Sequence, residues 1–551
     1  MSRASLSKSF LRDLSRSSLI AASLVLAACG GGGGGGNAGS SSAVAPLGTS
    51  TDTNTAAASP ESQAPVTEAF DDTAALTPLN NDQIAALATA AACEVLPAMP
   101  ALASNYRSVL EFGAVPNDEN DDSAAIQRAV NALQPGQTLV FPAGRYIHNK
   151  AIWVRVPGAI LWSQGATLHA TNPSDQAILL AASGASIYGF TMTAVTQNRR
   201  STPWESRIAI FADVRNTTTS KNNVIRRNKI IAGAPGTPTA NGASSAGIFV
   251  YQAENFLIAE NEVHRTLSDG IHITRGSFNG RVLYNKVRET GDDMIGIVSQ
   301  IAPDWLNTSA ATYSAELTQR AQANTVHDIV VAYNDVAGQY WGRGISVVGG
   351  RGITIRDNVI SDTTHAAAIY LAREPGYVTF GVHNVLVKNN TIRRVQTTKP
   401  VYDPFGKYST TLQGGIEMYA QVFDDEAVYS NLRSELRVER VRIEGNLIDG
   451  VINNSVRANS GFKDGARTMT GTNSAGQTVS RLYRTVIVGP LDVRDNKMYN
   501  TGIGPALRFL GNVPAPVPVY CSGNTYNDAA TSHPMCTTAP ITVTGAALTC
   551  S

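Results

Sequence analysis

Four charged side chains of this 551-residue chain fall at spacings that acid–base chemistry can use. They are Asp269 in Ser268-Asp269-Gly270, Asp292 and Asp293 after Gly291, and Arg343 in Gly342-Arg343-Gly344. Each group precedes an alternating apolar pattern, Ile271/Ile273, Ile295/Ile297 and Ile345/Val347, the period-two mark of a strand with one buried face. Aligning those strands puts Asp269, Asp293 and Arg343 at one equivalent position, with Asp292 beside them. Strands on successive coils of a stacked sheet lie about 4.8 Å apart, so the carboxylates crowd one another and at least one is expected to have a raised pKa. A general acid needs that property. Turns also select aspartate for backbone reasons, and Asp269 taken singly reads as a turn residue. Its alignment with a carboxylate pair one coil later and a guanidinium on the next moves the reading toward function.

The outward positions of the same strands give a second set: Phe249, His272, Gly296, Ser346, Tyr370 and Glu417, each between two apolar residues that point inward. An aromatic, a histidine, a tyrosine and a glutamate on one sheet face make a saccharide groove. Tyr340 and Trp341, next to Arg343, are candidates to stack on sugar rings, or to pack under inserted loops. Arg275 and Arg373 complete the candidate substrate contacts.

The elements that must hold these groups show in a repeat. Apolar-x-apolar-x-x-Asn-x-apolar occurs around Asn228, Asn261, Asn285, Asn334, Asn358, Asn390, Asn446 and Asn496, with a shortest interval of 24 residues and longer ones that carry insertions. Loops at 300–326 and 420–438 are the largest of these. Two or three short strands per repeat and no helical stripe are the arithmetic of a parallel β-helix, each coil burying its apolar face against its neighbours. The fold class is therefore all-β. Upstream, Val109-Leu110-Glu111-Phe112-Gly113-Ala114 leads to Asp122 as an N-cap and to an amphipathic helix with Ile126, Ala129, Val130 and Leu133. That helix would cover the open end of the stack.

The series Phe-Gly-Ala, Asp-Asp-Ser-Ala-Ala-Ile-Gln-x-Ala and Phe-Pro-Ala-Gly-x-Tyr at 112–146 closely resembles the start of pectin lyase-like right-handed parallel β-helix proteins. The resemblance covers about residues 107–515. It implies a polysaccharide-active protein, since the superfamily includes polygalacturonases, polysaccharide lyases, uronan epimerases and phage depolymerases. The site motifs are most similar to polygalacturonases, whose cleft carries Asn-Thr-Asp-Gly, Asp-Asp, Gly-His-Gly and Arg-Ile-Lys. Asp269, Asp292 and Asp293 match the three aspartates in order. Arg343 stands where that family has histidine, and Ile369-Tyr370-Leu371-Ala372-Arg373 occupies the last motif.

Two mechanisms compete. An inverting glycosidase would use Asp293 as acid and Asp269 with Asp292 to activate water, with carboxyls about 6.5–9.5 Å apart, and needs no cofactor. Arg343 would hold an anionic or polyhydroxy group. A uronate lyase or epimerase would instead bind Ca²⁺ through the aspartates and Glu417, with Arg343, His272 or Tyr370 moving the proton. A non-catalytic glycan-binding surface protein is the third reading. The expected partner is an acidic polysaccharide, and the expected state a monomer, with a trimer as the alternative.

Residues 1–28 read as an export signal, with Arg3, Lys8, Arg12 and Arg16 before the apolar run 19–28. Leu26-Ala27-Ala28-Cys29 resembles the bacterial lipobox, which implies lipidation at Cys29 and an envelope location, with Gly30 favouring the outer membrane. Residues 29–79, rich in Gly, Ala, Ser and Thr, form a tether, and a short helix is expected at 81–96 within a segment 80–104. The β-helix follows at 105–515 and a C-terminal cap at 516–551. Cys521–Cys536 is the preferred disulfide of an exported chain, leaving Cys93 and Cys550. No zinc spacing occurs. A net charge of +1 gives no sign of a nucleic-acid surface.

Overall fold

Short runs of isoleucine, valine and leucine in period two can hide one face only by stacking, and in this chain they stack on copies of themselves. The computed structural model describes residues 96–195, 202–212, 220–231, 246–301, 323–401, 403, 406, 408–423, 434–460, 467–485, 488–502, 505–511, 519–526 and 536–537. Three long sheets run the length of the molecule, of 16, 13 and 12 strands among the described residues. Nearly all their pairings are parallel and in register. Each coil contributes one strand to each sheet in turn, for example 257–259, 262–264 and 271–274, then 278–283, 286–288 and 295–298. The chain is a right-handed parallel β-helix. Its core is a continuous column of inward residues such as Ile258, Val263, Ile271, Ile273, Val282 and Ile295, all fully buried.

The asparagine repeat is a ladder at the corner between the 16-stranded and 12-stranded sheets. Each Nδ2 donates to Oδ1 of the next asparagine at 2.9–3.1 Å, from Asn228 through Asn261, Asn285, Asn334, Asn358, Asn390, Asn446 and Asn496. Asn524, which the repeat did not single out, extends it by one rung. The residue before most rungs is left-handed, including Arg227, Glu260, Tyr284, Tyr333, Asp357, Asn389 and Asp495, with φ between 53° and 59°. That conformation costs a non-glycine residue about 1–3 kcal/mol, and the asparagine bonds on either side hold it in place.

The N-terminal cap is present, with one correction. The helix spans Ser123–Asn131, and Asp122 occupies the N-cap position without capping through its side chain. Its carboxylate instead accepts from Val115 N–H at 2.9 Å and Ile147 N–H at 3.3 Å, binding the helix to the first coil. The Ser123 N–H is taken by Asp121. Stacking also runs past residue 515, since Val519–Ser522 pairs with Leu491–Arg494 and Cys536–Thr537 pairs with Val519–Ser522. Residues 420–423, expected in a loop, continue the strand Ile416–Phe423. Cys29, Cys93, Cys550, the helix at 81–95 and the loop centres at 302–322 and 424–433 lie outside the described residues.

The ladder predicts its own test. Asn334→Ala removes the partner of the Asn285 amide groups and of the Val282 carbonyl, all buried. At about 1–3 kcal/mol per orphaned group, a loss of roughly 3 kcal/mol or more is expected. Urea unfolding of variant and parent measures it; coincident midpoints would mean that the ladder carries no stability.

Candidate active site

Register decides which side chains meet. Gly247 N–H donates to Asp269 O at 3.2 Å, Gly270 N–H to Asp293 O at 3.0 Å and Met294 N–H to Arg343 O at 3.0 Å. Asp269, Asp293 and Arg343 therefore occupy one corner on three successive coils. Beyond the corner, strand pairing aligns Phe249, His272, Gly296, Ser346, Tyr370 and Glu417 in one outward row, as the alternation predicts.

The three aspartates converge. A carboxylate oxygen from each of Asp269, Asp292 and Asp293 lies within 4.8 Å of the others, and all three residues are buried. That is tighter than the roughly 6.5–9.5 Å of an inverting acid–base pair. Glycines permit the approach: a Cβ at Gly342 would lie 2.4 Å from Asp292 Oδ1 and from Asp293 N. At Gly296 a Cβ would stand 3.6 Å from Asp269 Oδ2 and 3.7 Å from Ser346 Oγ, so the missing side chain leaves a gap above the cluster.

Each aspartate has a different environment. Asp293 accepts at both oxygens, from Arg343 N–H at 2.7 Å and from Ser346 Oγ–H at 2.5 Å. Asp269 Oδ2 lies 2.5 Å from His272 Nδ1. Burial pushes His272 down to about 4 despite the charge of Asp293, so its imidazole is neutral at pH 7. Phe249 stacks on that imidazole at 4.7 Å. Arg343 is clamped by Glu374 at 3.0 Å, approaches Asp293 at 3.9 Å and lies over the Tyr370 ring at 4.2 Å. Burial raises the Tyr370 phenol well above its ordinary value, and Glu374 adds to the effect. Glu417, two positions past Ser346, is pushed by burial up to about 7, with Arg457 and the Gly414 N–H opposing.

Several expected contacts sit elsewhere. Tyr340 is buried, its hydroxyl 2.4 Å from where a Cβ on Gly291 would stand, so it packs against the aspartate turn and offers no face to a sugar. Arg373 is fully buried because its guanidinium donates to the carbonyls of Thr379 and Gln421. Arg275 lies past the end of its strand, 5.9 Å from the Tyr251 ring. Trp341 is half-buried and tilted against His365. Cys521 is disulfide-bonded, while Cys536 pairs in register with Val519. Glu374 was missed, since nothing in the period-two pattern marks a residue just past a strand end. Ser346 was on the outward row, but its bond to Asp293 is a three-dimensional fact.

A family model described as rhamnogalacturonase A/epimerase, pectate lyase-like, matches residues 106–413. No curated protein matches the chain. Among solved structures, the catalytic unit of a thermostable GH87 alpha-1,3-glucanase from Streptomyces thermodiastaticus is 15% identical over 80% of this chain and 73% of its own, with a TM-score of 0.45. The Azotobacter vinelandii mannuronan C-5 epimerase AlgE4 A-module is 13% identical over 79% of this chain and all of its own, with a TM-score of 0.44. A GH87 alpha-1,3-glucanase catalytic domain in complex with nigerose is 14% identical over 81% and 70%, with a TM-score of 0.46.

Two outcomes follow from this geometry. Gly342→Ala drives a Cβ into the Asp292–Asp293 backbone as well as Asp292 Oδ1, and is expected to lower turnover of acidic polysaccharide about a hundredfold together with a fall in unfolding midpoint, each measured against the parent. Glu417, raised from 4.5 to about 7, contributes stability that is present below 4.5 and lost as pH rises through about 7. Glu417→Gln should therefore gain on the parent in Tm between about pH 4.5 and pH 8, and parallel Tm curves would contradict the assignment.

Proposed function

The chain belongs to the rhamnogalacturonase A/epimerase, pectate lyase-like family of carbohydrate-active β-helix enzymes, and from that premise we propose that it is a glycoside hydrolase acting on an acidic, uronate-containing polysaccharide. The observation that carries the reading is the buried carboxylate triplet beneath the gap at Gly296. Asp269 acts in its protonated form, its O–H held by Nδ1 of neutral His272 2.5 Å away, and delivers that proton to the leaving glycosidic oxygen as the C–O bond breaks. Asp293, with both oxygens already accepting, is poorly placed to give up a proton, which reverses the role that the sequence alone suggested for it. Asp292 and Asp293 take the proton of the attacking water. Two acceptors less than 4.8 Å apart can both bond one water at about 2.8 Å. Arg343 holds an anionic or hydroxyl-rich group at the edge of the cluster.

The tight spacing favours a second reading. Three oxygens within 4.8 Å of one another can also surround Ca²⁺ at about 2.3–2.6 Å, where the cation would neutralise a uronate carboxylate for elimination or epimerisation. The same spacing, closer to the roughly 5–5.5 Å of a retaining pair, makes anomeric configuration an open measurement. The enzyme works at the cell envelope, tethered through a lipid on Cys29. The arginine-led apolar run ending in Leu-Ala-Ala-Cys supports that placement.

Asp293→Asn and Asp269→Asn are each expected to lower kcat about 10²–10⁴-fold on the acidic polysaccharide that the parent cleaves. Reducing ends and unsaturated-uronate absorbance are followed together, with product configuration read by NMR. Reducing ends alone, lost in both variants, support hydrolysis. Absorbance abolished by a chelator selects the calcium reading, and undiminished activity in both variants removes the triplet from the chemistry.

A further inference from the structure

The outward row that passes through the aspartate cluster does not stop at Glu417. Strand pairing continues it to Arg457 and then to Arg508. Equivalent outward positions on neighbouring coils project in the same direction about 4.8 Å apart, so two arginines leave the sheet side by side on one face. They lie four and five coils from Gly296, or roughly 19 and 24 Å along the axis. Like charges so placed repel unless something anionic lies between them.

The protein supplies little to neutralise them. Glu417, one coil earlier, approaches Arg457 Nε at only 3.6 Å and spends its other oxygen on the Gly414 N–H at 2.8 Å. Its carboxyl, pushed up to about 7 by burial, is partly protonated at neutral pH. Arg457 donates through Nη1 to Leu412 O at 3.1 Å, and its Nε makes no hydrogen bond. Arg508 makes no hydrogen bond or ion pair among the described residues, although it senses the charge of Glu417. Both arginines are partly exposed. The opposite end of the same row is apolar, with Phe249, Ala209, Leu179 and Trp153 in register. The row therefore runs from an apolar end, where Phe249, Ala209 and Leu179 are fully buried in a second hydrophobic cluster, through the carboxylates to a cationic end.

We propose that Arg457 and Arg508 form a distal anion subsite that grips the carboxylate of a uronate residue several sugars from the point of cleavage. A guanidinium fork suits a planar carboxylate, and two adjacent forks suit it better than one. The inference rests on the reading of an acidic polysaccharide in this groove. It adds direction to it: the uronate-rich side of the bound chain runs toward the C-terminal coils. Short oligomers that occupy only the cluster gain nothing from this subsite.

The test uses the full chain carrying Asp293→Asn, so that binding is measured without turnover. Calorimetric Kd values are compared for a long oligouronide, the same oligomer with its carboxyls reduced to alcohols, and a sulfated oligomer of equal length. Arg508→Ala is expected to weaken the oligouronide by roughly tenfold and to leave the carboxyl-reduced oligomer unchanged. Arg508→Lys, which keeps the charge and loses the fork, should fall between. Circular dichroism verifies folding, and Arg457→Ala serves as the second variant should Arg508→Ala misfold. Unchanged oligouronide affinity in a folded variant overturns the subsite, as does an equal loss on the carboxyl-reduced oligomer. A sulfated oligomer that depends on Arg508 more strongly than the oligouronide does overturns the carboxylate assignment. Oligouronide binding that depends on Arg508, with no cleavage by the parent, upholds the subsite and removes the hydrolase reading. No binding of any oligomer removes both.

Discussion

Coil-to-coil register is the constraint from which the other features follow. A parallel stack converts sequence spacing into position, and a slip of one residue would turn each outward side chain into the core. The asparagine ladder fixes that register at the corner between the 16-stranded and 12-stranded sheets. Each rung satisfies a buried amide with the next and anchors a left-handed bend that the chain would otherwise resist. The outward row on the 13-stranded sheet inherits its alignment from a corner that none of its side chains touches.

At the site, crowding of charge is relieved unevenly. Asp293 is satisfied on both oxygens, Asp269 leans on a neutral histidine, and Arg343 divides itself between Asp293, Glu374 and the face of Tyr370. Identical side chains thus meet different surroundings within 4.8 Å of one another. Glycines at 291, 296 and 342 matter as much as the charged groups, since side chains there would occupy the space that Tyr340, the gap and Asp292 now fill.

Much of this was readable in the chain. Alternation fixed the outward row from Phe249 to Glu417, and the repeat fixed eight rungs of the ladder, because period and face are local properties. Depth is not local. Tyr340 and Arg373 sit beside the motif in sequence, yet one packs under the aspartate turn and the other is consumed by carbonyls. Asp122 was rightly placed at the helix start, but its carboxylate binds a strand 25 residues away. Glu374 and the continuation of the row into Arg457 and Arg508 required knowing which strand follows a long insertion, and insertion length erases the period.

Every amide in the ladder points the same way along the axis: each asparagine gives to the next coil and receives from the one before. Such a chain of bonds has no preferred number of members. A duplicated coil of 24 residues, the spacing of Asn261 and Asn285, would add one rung and one outward-row position without asking its neighbours to change. The fold can therefore be lengthened by copying in whole units, while single substitutions on the outward face decide what each new unit recognises. Reach and selectivity are in that sense separately heritable.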